Sequence, residues 1–426
     1  MAATAVPGQE KNYRGPLAVV TTLFFMWGFL TCLNDILIPH LKSIFDLNYA
    51  QTMLIQFAFF GSYFLFSIPS AKLIDWIGYQ RSMVLGLLTM GVGAFLFVPA
   101  ASVPSYPLFL GALIVLAAGI TCLQVAANPY VTVLGKPETA SSRLNLTQAF
   151  NSLGTFLAPF FGGLLILSAA AKAIDEIRAL PPDALQAYRL HEAATVKTPY
   201  VGLGIALVVL AIAIGLFQLP KIENAHHKVG EKVDDSIWKH PNLIFGAIAI
   251  FVYVGAEVSI GSFLVNYFSQ PEIGGLTEKV AASFVAFYWG GAMVGRFIGS
   301  GLLQKIKTGY LLGICAICAA SLVAISMLST GHVAMWSIIL VGFFNSIMFP
   351  SIFTLGVAEL GPLTGDGSGV MIMAIVGGAI IPLAQGWIAD KIGIHHAFLL
   401  PVICYFYIMF FALSGSKPNS KRYAKG

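Results

Sequence analysis

The sequence predicts an all-α polytopic membrane protein, twelve helices arranged as two pseudo-symmetric six-helix bundles. Three observations lead there. Apolar residues make up 57% of the 426-residue chain and charged residues only 10%. A soluble domain carries ~25% charged residues, so this chain cannot cover a water-facing surface. Mean hydropathy is +0.82, and apolar runs of the ~20 residues needed to cross a bilayer recur along the whole length.

Measured with that ruler, helices begin near Leu17, Gln51, Ser82, Pro107, Arg143, Pro199, Pro241, Val280, Tyr310, Val333, Gly367 and His395. The division that follows is a cytoplasmic tail over 1–16, a first bundle over 17–220, a cytoplasmic linker over 221–240, a second bundle over 241–414 and a cytoplasmic tail over 415–426. Residues 1–16 are polar and the first apolar run lacks a small-residue cleavage site, so it reads as a retained helix rather than a signal peptide. An even number of crossings puts both termini on one side. Seventeen of the 24 Lys and Arg residues then fall on the side of the termini and seven on the other. Positive charge concentrates on the cytoplasmic side, which orients the chain in the inner cell membrane with both ends inside.

The halves repeat. Gly154, Pro159 and Gly163 align with Gly377, Pro382 and Gly386 at one offset. With a shift of two, Gln124, Pro129 and Gly135 align with Asn345, Pro350 and Gly356. Two related halves joined by a polar linker suit an alternating-access carrier with its site between the repeats.

Polar side chains in the apolar runs locate that site, because at membrane depth they are expensive unless they face a partner or a watery cavity. Gln124 and Asn128 are four apart and Gln148 and Asn151 three apart, so each pair projects from one helix face. Amides supply the donors and acceptors that sugar hydroxyls require, and they equally make interhelical hydrogen bonds; Asn128 has the further option of a backbone group freed by Pro129. Asn345 shares this ambiguity. Asn34 and Asp35 close the first helix ahead of Pro39, Asp35 being either a buried titrating acid or an interfacial one. Glu257 lies one turn after Tyr253 and is either a coupling acid or half of a structural ion pair. Trp289 is either a stacking surface for a sugar ring or a core or lipid contact. Asp75 and Arg296 fall at cytoplasmic helix ends and read as clasps that hold one conformational state. No Arg or Lys falls inside a predicted span to pair with an anion, which favours a neutral substrate.

Other classes find no footing. The basic residues neither cluster nor interleave with aromatics, against nucleic-acid binding. No zinc-protease motif or nucleophile elbow is present, so no enzyme is expected. The five cysteines all sit in apolar runs and read as packed small hydrophobes, and the paired histidines 226–227 and 395–396 read as solvated. No cofactor is implied.

Several segments resemble a known family. Ala71-Lys-Leu-Ile-Asp-Trp-Ile-Gly78 followed by Arg81 is similar to the loop motif of the major facilitator superfamily, with Ala71 and Trp76 departing from it. Asn34-Asp-Ile-Leu-Ile-Pro39, Ala126-Ala-Asn-Pro-Tyr-Val-Thr-Val-Leu-Gly135, Arg143 to Gly154 and Phe344 to Pro350 resemble the fucose–galactose–hexuronide symporters within it. The stretch Tyr253 to Asn266 looks like their glucose/galactose branch. The resemblance implies the major facilitator fold and a secondary active transporter, a monomer in the bilayer importing a neutral hexose by cation symport. It implies Asp35 as a coupling acid, while the second membrane acid of the fucose permease falls on Gln124, which cannot titrate. Either Glu257 substitutes for it, or Asp35 with nearby oxygens holds Na+; H+ and Na+ both stay open. Carriers of N-acetylglucosamine, fructose or fucose, and a non-transporting sugar receptor, are the competing readings.

Overall fold

The computed structural model describes residues 13–45, 49–103, 105–165, 180–222 and 235–418; for 33–44, 49–53, 159–165 and 193 it describes the backbone alone. Among the described residues there are helices and no strands. Ten stretches are long and apolar enough to cross a membrane. One of them belongs to a helix that runs from Tyr49 to Ser102 and breaks at Gly78, where φ is 78° and ψ 170°. That conformation is open to glycine and closed to residues with a β-carbon, so this rod is two crossings. The helix Ala140–Leu165 is 26 residues long, roughly 39 Å at 1.5 Å per residue, and is a further crossing despite its polar face.

Among the described residues the membrane-length helices are therefore twelve: Arg14–Phe45, the two arms of Tyr49–Ser102, Tyr106–Val133, Ala140–Leu165, Lys197–Leu216, Pro241–Phe268, Glu278–Leu302, Thr308–Leu328, Gly331–Gly356, Gly361–Ile392 and Ile394–Gly415. Each starts within a few residues of its predicted position. A short helix, Pro182–Thr195, precedes the sixth. The outward faces are apolar, with Trp76, Leu216 and Leu328 all more than 60% exposed, as lipid contact requires.

Packing reproduces the sequence repeat. A β-carbon on Gly154 would overlap the carbonyl oxygen of Phe25, and one on Gly377 would overlap that of Phe251. Thus the fifth helix meets the first, and the eleventh meets the seventh, backbone against backbone at matched glycines. Small residues allow this approach, and dispersion then holds the pair. Arg143 fixes the fourth helix to the fifth: its guanidinium donates to the carbonyls of Thr132 (2.8 Å) and Lys136 (2.8 Å) at the end of the fourth. His395, expected in solvent, is instead tied between helices, with Tyr267 3.1 Å from Nδ1 and the Met327 carbonyl beside Nε2.

Candidate functional site: a polar layer between the two halves

The two prolines matched by the repeat create the polar layer. A proline inside a helix leaves the carbonyl four residues back without its N–H. Pro129 frees Val125 O, which accepts from Ser368 Oγ of the eleventh helix at 2.8 Å. Pro350 frees Ser346 O, which accepts from Arg296 Nε of the eighth at 3.2 Å. The neighbouring carbonyls are also caught: Gln124 O by Asn128 Nδ2 (3.0 Å) and Asn345 O by the Tyr253 hydroxyl (3.1 Å). Irregular backbone at membrane depth survives because other helices satisfy it.

In the first half the amides form a chain. Gln124 Nε2 donates to Tyr63 Oη at 2.8 Å, and Gln148 Nε2 reaches Asn128 Oδ1 at 3.4 Å. Asn128 is fully buried, whereas Gln124 and Gln148 each keep 6% exposure. Asn128 therefore braces the kink, and the two glutamines lie beside it, buried but for a small exposed fraction. Asn151 is partly exposed and donates to Phe24 O at 2.9 Å.

In the second half Asn345 is the hub. It has no solvent exposure. Its Nδ2 donates to Tyr288 Oη at 2.9 Å and its Oδ1 accepts from Tyr405 at 2.8 Å. Each end of the amide meets a tyrosine and none of it is exposed, an arrangement that favours a structural hub over the expected sugar contact. Glu257 is partly exposed, and its Oε1 accepts from the Tyr253 hydroxyl at 2.9 Å. Trp289 is 41% exposed and stands edge-on to Tyr288, ring centroids 5.1 Å apart. Asn34 and Asp35 lie outside the described side chains.

Arg296 is not at a helix end. It lies six residues inside Glu278–Leu302, about 9 Å deep at 1.5 Å per residue. There its guanidinium donates to Ser152 Oγ of the first half, and its positive charge acts on Glu257. The expectation of no intramembrane cation fails here, because Gly299-Ser300-Gly301 near the end of that helix blurred its boundary. Asp75 lies beside the start of the eleventh helix, where a β-carbon on Gly365 would come within 4.0 Å of its Oδ1. A carboxylate is favourably placed at a helix N-terminus.

One end of the layer is shut. Ser142 Oγ donates to Ser300 O (2.7 Å), Asn145 Nδ2 to Arg296 O (2.7 Å) and Thr308 Oγ1 to Ser141 Oγ (2.9 Å), which also bonds Thr354 (2.6 Å). All join one half to the other on the side of the 134–139 loop. A large open groove lies elsewhere. It measures about 800 Å³ between the first, fifth and sixth helices, and its lining is apolar except for Arg14 and two threonines. It offers little for hydroxyls to bond.

Sequence reasoning passed over Tyr63, Tyr288, Tyr405, Ser152 and Ser368, since tyrosine and serine are common in such helices. Only the i, i+4 spacing of Tyr253 and Glu257 carried a readable signal.

Comparison with known proteins agrees with this architecture. The family model of the Major Facilitator Superfamily matches residues 18–375. A glucose/galactose transporter of Brucella abortus is 56% identical over 408 residues, 96% of each chain. The L-fucose-proton symporter of Escherichia coli is 36% identical, over 95% of this chain and 94% of its own. The crystal structure of a transporter of this superfamily in the outward conformation, FucP, superposes with a TM-score of 0.87 at 34% identity, covering 96% of this chain and 100% of its own. By sequence and by fold, the chain belongs to the major facilitator superfamily.

Proposed function

We propose that the protein is a secondary active transporter that imports a neutral hexose, glucose or galactose, by cation symport through the inner membrane. The observation that carries this reading is the polar layer itself. Amides of the fourth and fifth helices edge it from one half, and the partly exposed Glu257 enters from the other. The names of its relatives, glucose/galactose transporter and L-fucose-proton symporter, support a sugar as cargo.

Each residue then has a part. Gln124, Gln148 and Asn151 offer hydroxyl partners, with Trp289 at the rim for the apolar ring face. Asn128 and Asn345 position the kinked helices and do not touch the sugar. Asp35 and Glu257 exchange the coupling cation, H+ or Na+. Arg296 is bound to protein acceptors, so an anionic substrate has no free counter-charge there and a neutral one suffers no competition. Asp75 and Arg296 act as clasps. The basic excess puts the shut end at the cytoplasm, so this conformation receives substrate from outside, and the halves rock to release it. The bundle boundaries 17–220 and 241–414 mark the moving bodies, with 221–240 as the strap between them, and a single chain suffices.

The test is uptake of labelled glucose into proteoliposomes with a Na+ gradient and a pH gradient imposed separately, followed by a panel of competing sugars. Accumulation under one gradient alone identifies the ion. Binding without flux or counterflow under either would leave a receptor in place of a carrier.

A further inference from the structure

The Tyr253 hydroxyl has one proton and two acceptors: Glu257 Oε1 at 2.9 Å and the Asn345 carbonyl at 3.1 Å. We infer that Tyr253 is a positioning residue that reports the charge of Glu257 to the break in the tenth helix. The inference rests on the reading of Glu257 as a coupling acid.

The chemistry follows from the donor count. While Glu257 is ionised it is acceptor-only, and a charge-assisted hydrogen bond outcompetes a neutral one by roughly a factor of two in strength. The hydroxyl proton then points at the carboxylate, and the Asn345 carbonyl keeps at best a poor share. When Glu257 takes a proton from water, its own O–H donates to Tyr253 Oη. The hydroxyl proton swings to the Asn345 carbonyl and closes the gap in the helix. No bond other than O–H is made or broken.

The break is where such a signal matters. The helix Gly331–Asn345 stops and Met348–Gly356 restarts ahead of Pro350, so carbonyls 345 and 346 have no helical partners. One is held by Tyr253 and the other by Arg296, whose guanidinium also grips Ser152 in the opposite half. Both holders feel the Glu257 charge, one as a hydrogen bond and one electrostatically. The ionisable groups around the carboxyl are Tyr253 on its own helix, Tyr288 and Arg296 on the eighth and Tyr405 on the twelfth. From the tenth helix comes only the amide of Asn345. The eleventh meets this stretch of the seventh through Gly377 and Ile381, neither of which titrates.

The test is glucose affinity against pH for the reconstituted full chain, using labelled glucose as probe. Wild type should shift by about tenfold across the titration, within the usual range for coupled sites. Tyr253→Phe keeps the ring and loses the hydroxyl; its shift should fall below about threefold, well under the tenfold of an intact coupling. Pro350→Ala returns an N–H to Ser346 O, the carbonyl that Arg296 holds, removes the break on which the relay acts, and should flatten the profile as well. Glu257→Gln should be flat. A full pH shift retained in either Tyr253→Phe or Pro350→Ala, with Glu257→Gln flat, overturns the relay and leaves Glu257 as coupling acid. A full shift and gradient-driven uptake in Glu257→Gln overturns the assignment of Glu257 itself.

Discussion

Replacing Asn345 by leucine separates its two readings, sugar ligand and structural hub. Leucine keeps asparagine's branching at the γ-carbon but has no polar atoms. The Tyr405 hydroxyl, which donates to Asn345 Oδ1 at 2.8 Å, would be left as a buried donor without a partner. Such a group costs about 1–3 kcal/mol. Tyr288 would lose the incoming Nδ2–H at 2.9 Å but keep its own donation to the Glu257 carbonyl at 3.4 Å, for about 0.5–1.5 kcal/mol more. The sum is about 2–4 kcal/mol. Adding Tyr405→Phe removes the orphan and should return most of the first share, so the double variant is more stable than Asn345→Leu alone. That sign of coupling is expected of residues in one network. The assay is the apparent melting temperature in detergent for both singles and the double, with glucose affinity measured on each. If Asn345→Leu melts like wild type, loses glucose binding and gains nothing from Tyr405→Phe, Asn345 is a ligand and the hub reading is wrong.

Three other outcomes follow from the proposed function and from the packing. Asp35→Asn should abolish accumulation while sparing counterflow exchange, since a neutral side chain cannot cycle a proton or hold a cation; full gradient-driven uptake removes Asp35 from coupling. Arg296→Gln loses the grip on Ser152 and should open the shut end, seen as faster labelling of a cysteine placed at Ser142 and at least a tenfold loss of uptake, about 1.4 kcal/mol; unchanged labelling refutes the clasp. Gly154→Ala puts a β-carbon into the Phe25 carbonyl and should destabilise by about 1–3 kcal/mol through overpacking, whereas Gly111→Ala, with open space around it, should be neutral in the same melting assay.

What the sequence made legible divides along physical lines. Helix positions came through because bilayer thickness sets them from outside, so a run of apolar residues is sufficient. Gly154 and Gly377 were readable as a repeat, and their contacts with Phe25 and Phe251 turn out to match as well. The fate of each amide was not readable. Asn345 and Gln124 occupy aligned positions and differ by one methylene, yet one is held by two tyrosines with no exposure and the other by one tyrosine with 6% exposure. That outcome depends on which side chains arrive from distant helices, here Tyr288 and Tyr405, and nothing local to Asn345 announces them. Arg296 misled for the opposite reason: it looked terminal beside a Gly-rich helix end, and its depth emerges only once Ser152 is seen beneath it.

The shut end has a thermodynamic consequence. It is sewn largely by serine, threonine and asparagine contacts with hydroxyls and carbonyls, each worth about 0.5–1.5 kcal/mol net and almost indifferent to dissolved salt. The glycine seams within each half, by contrast, leave no slack for bending. Opening this end therefore means undoing a few weak stitches of this kind rather than parting the packed glycine seams.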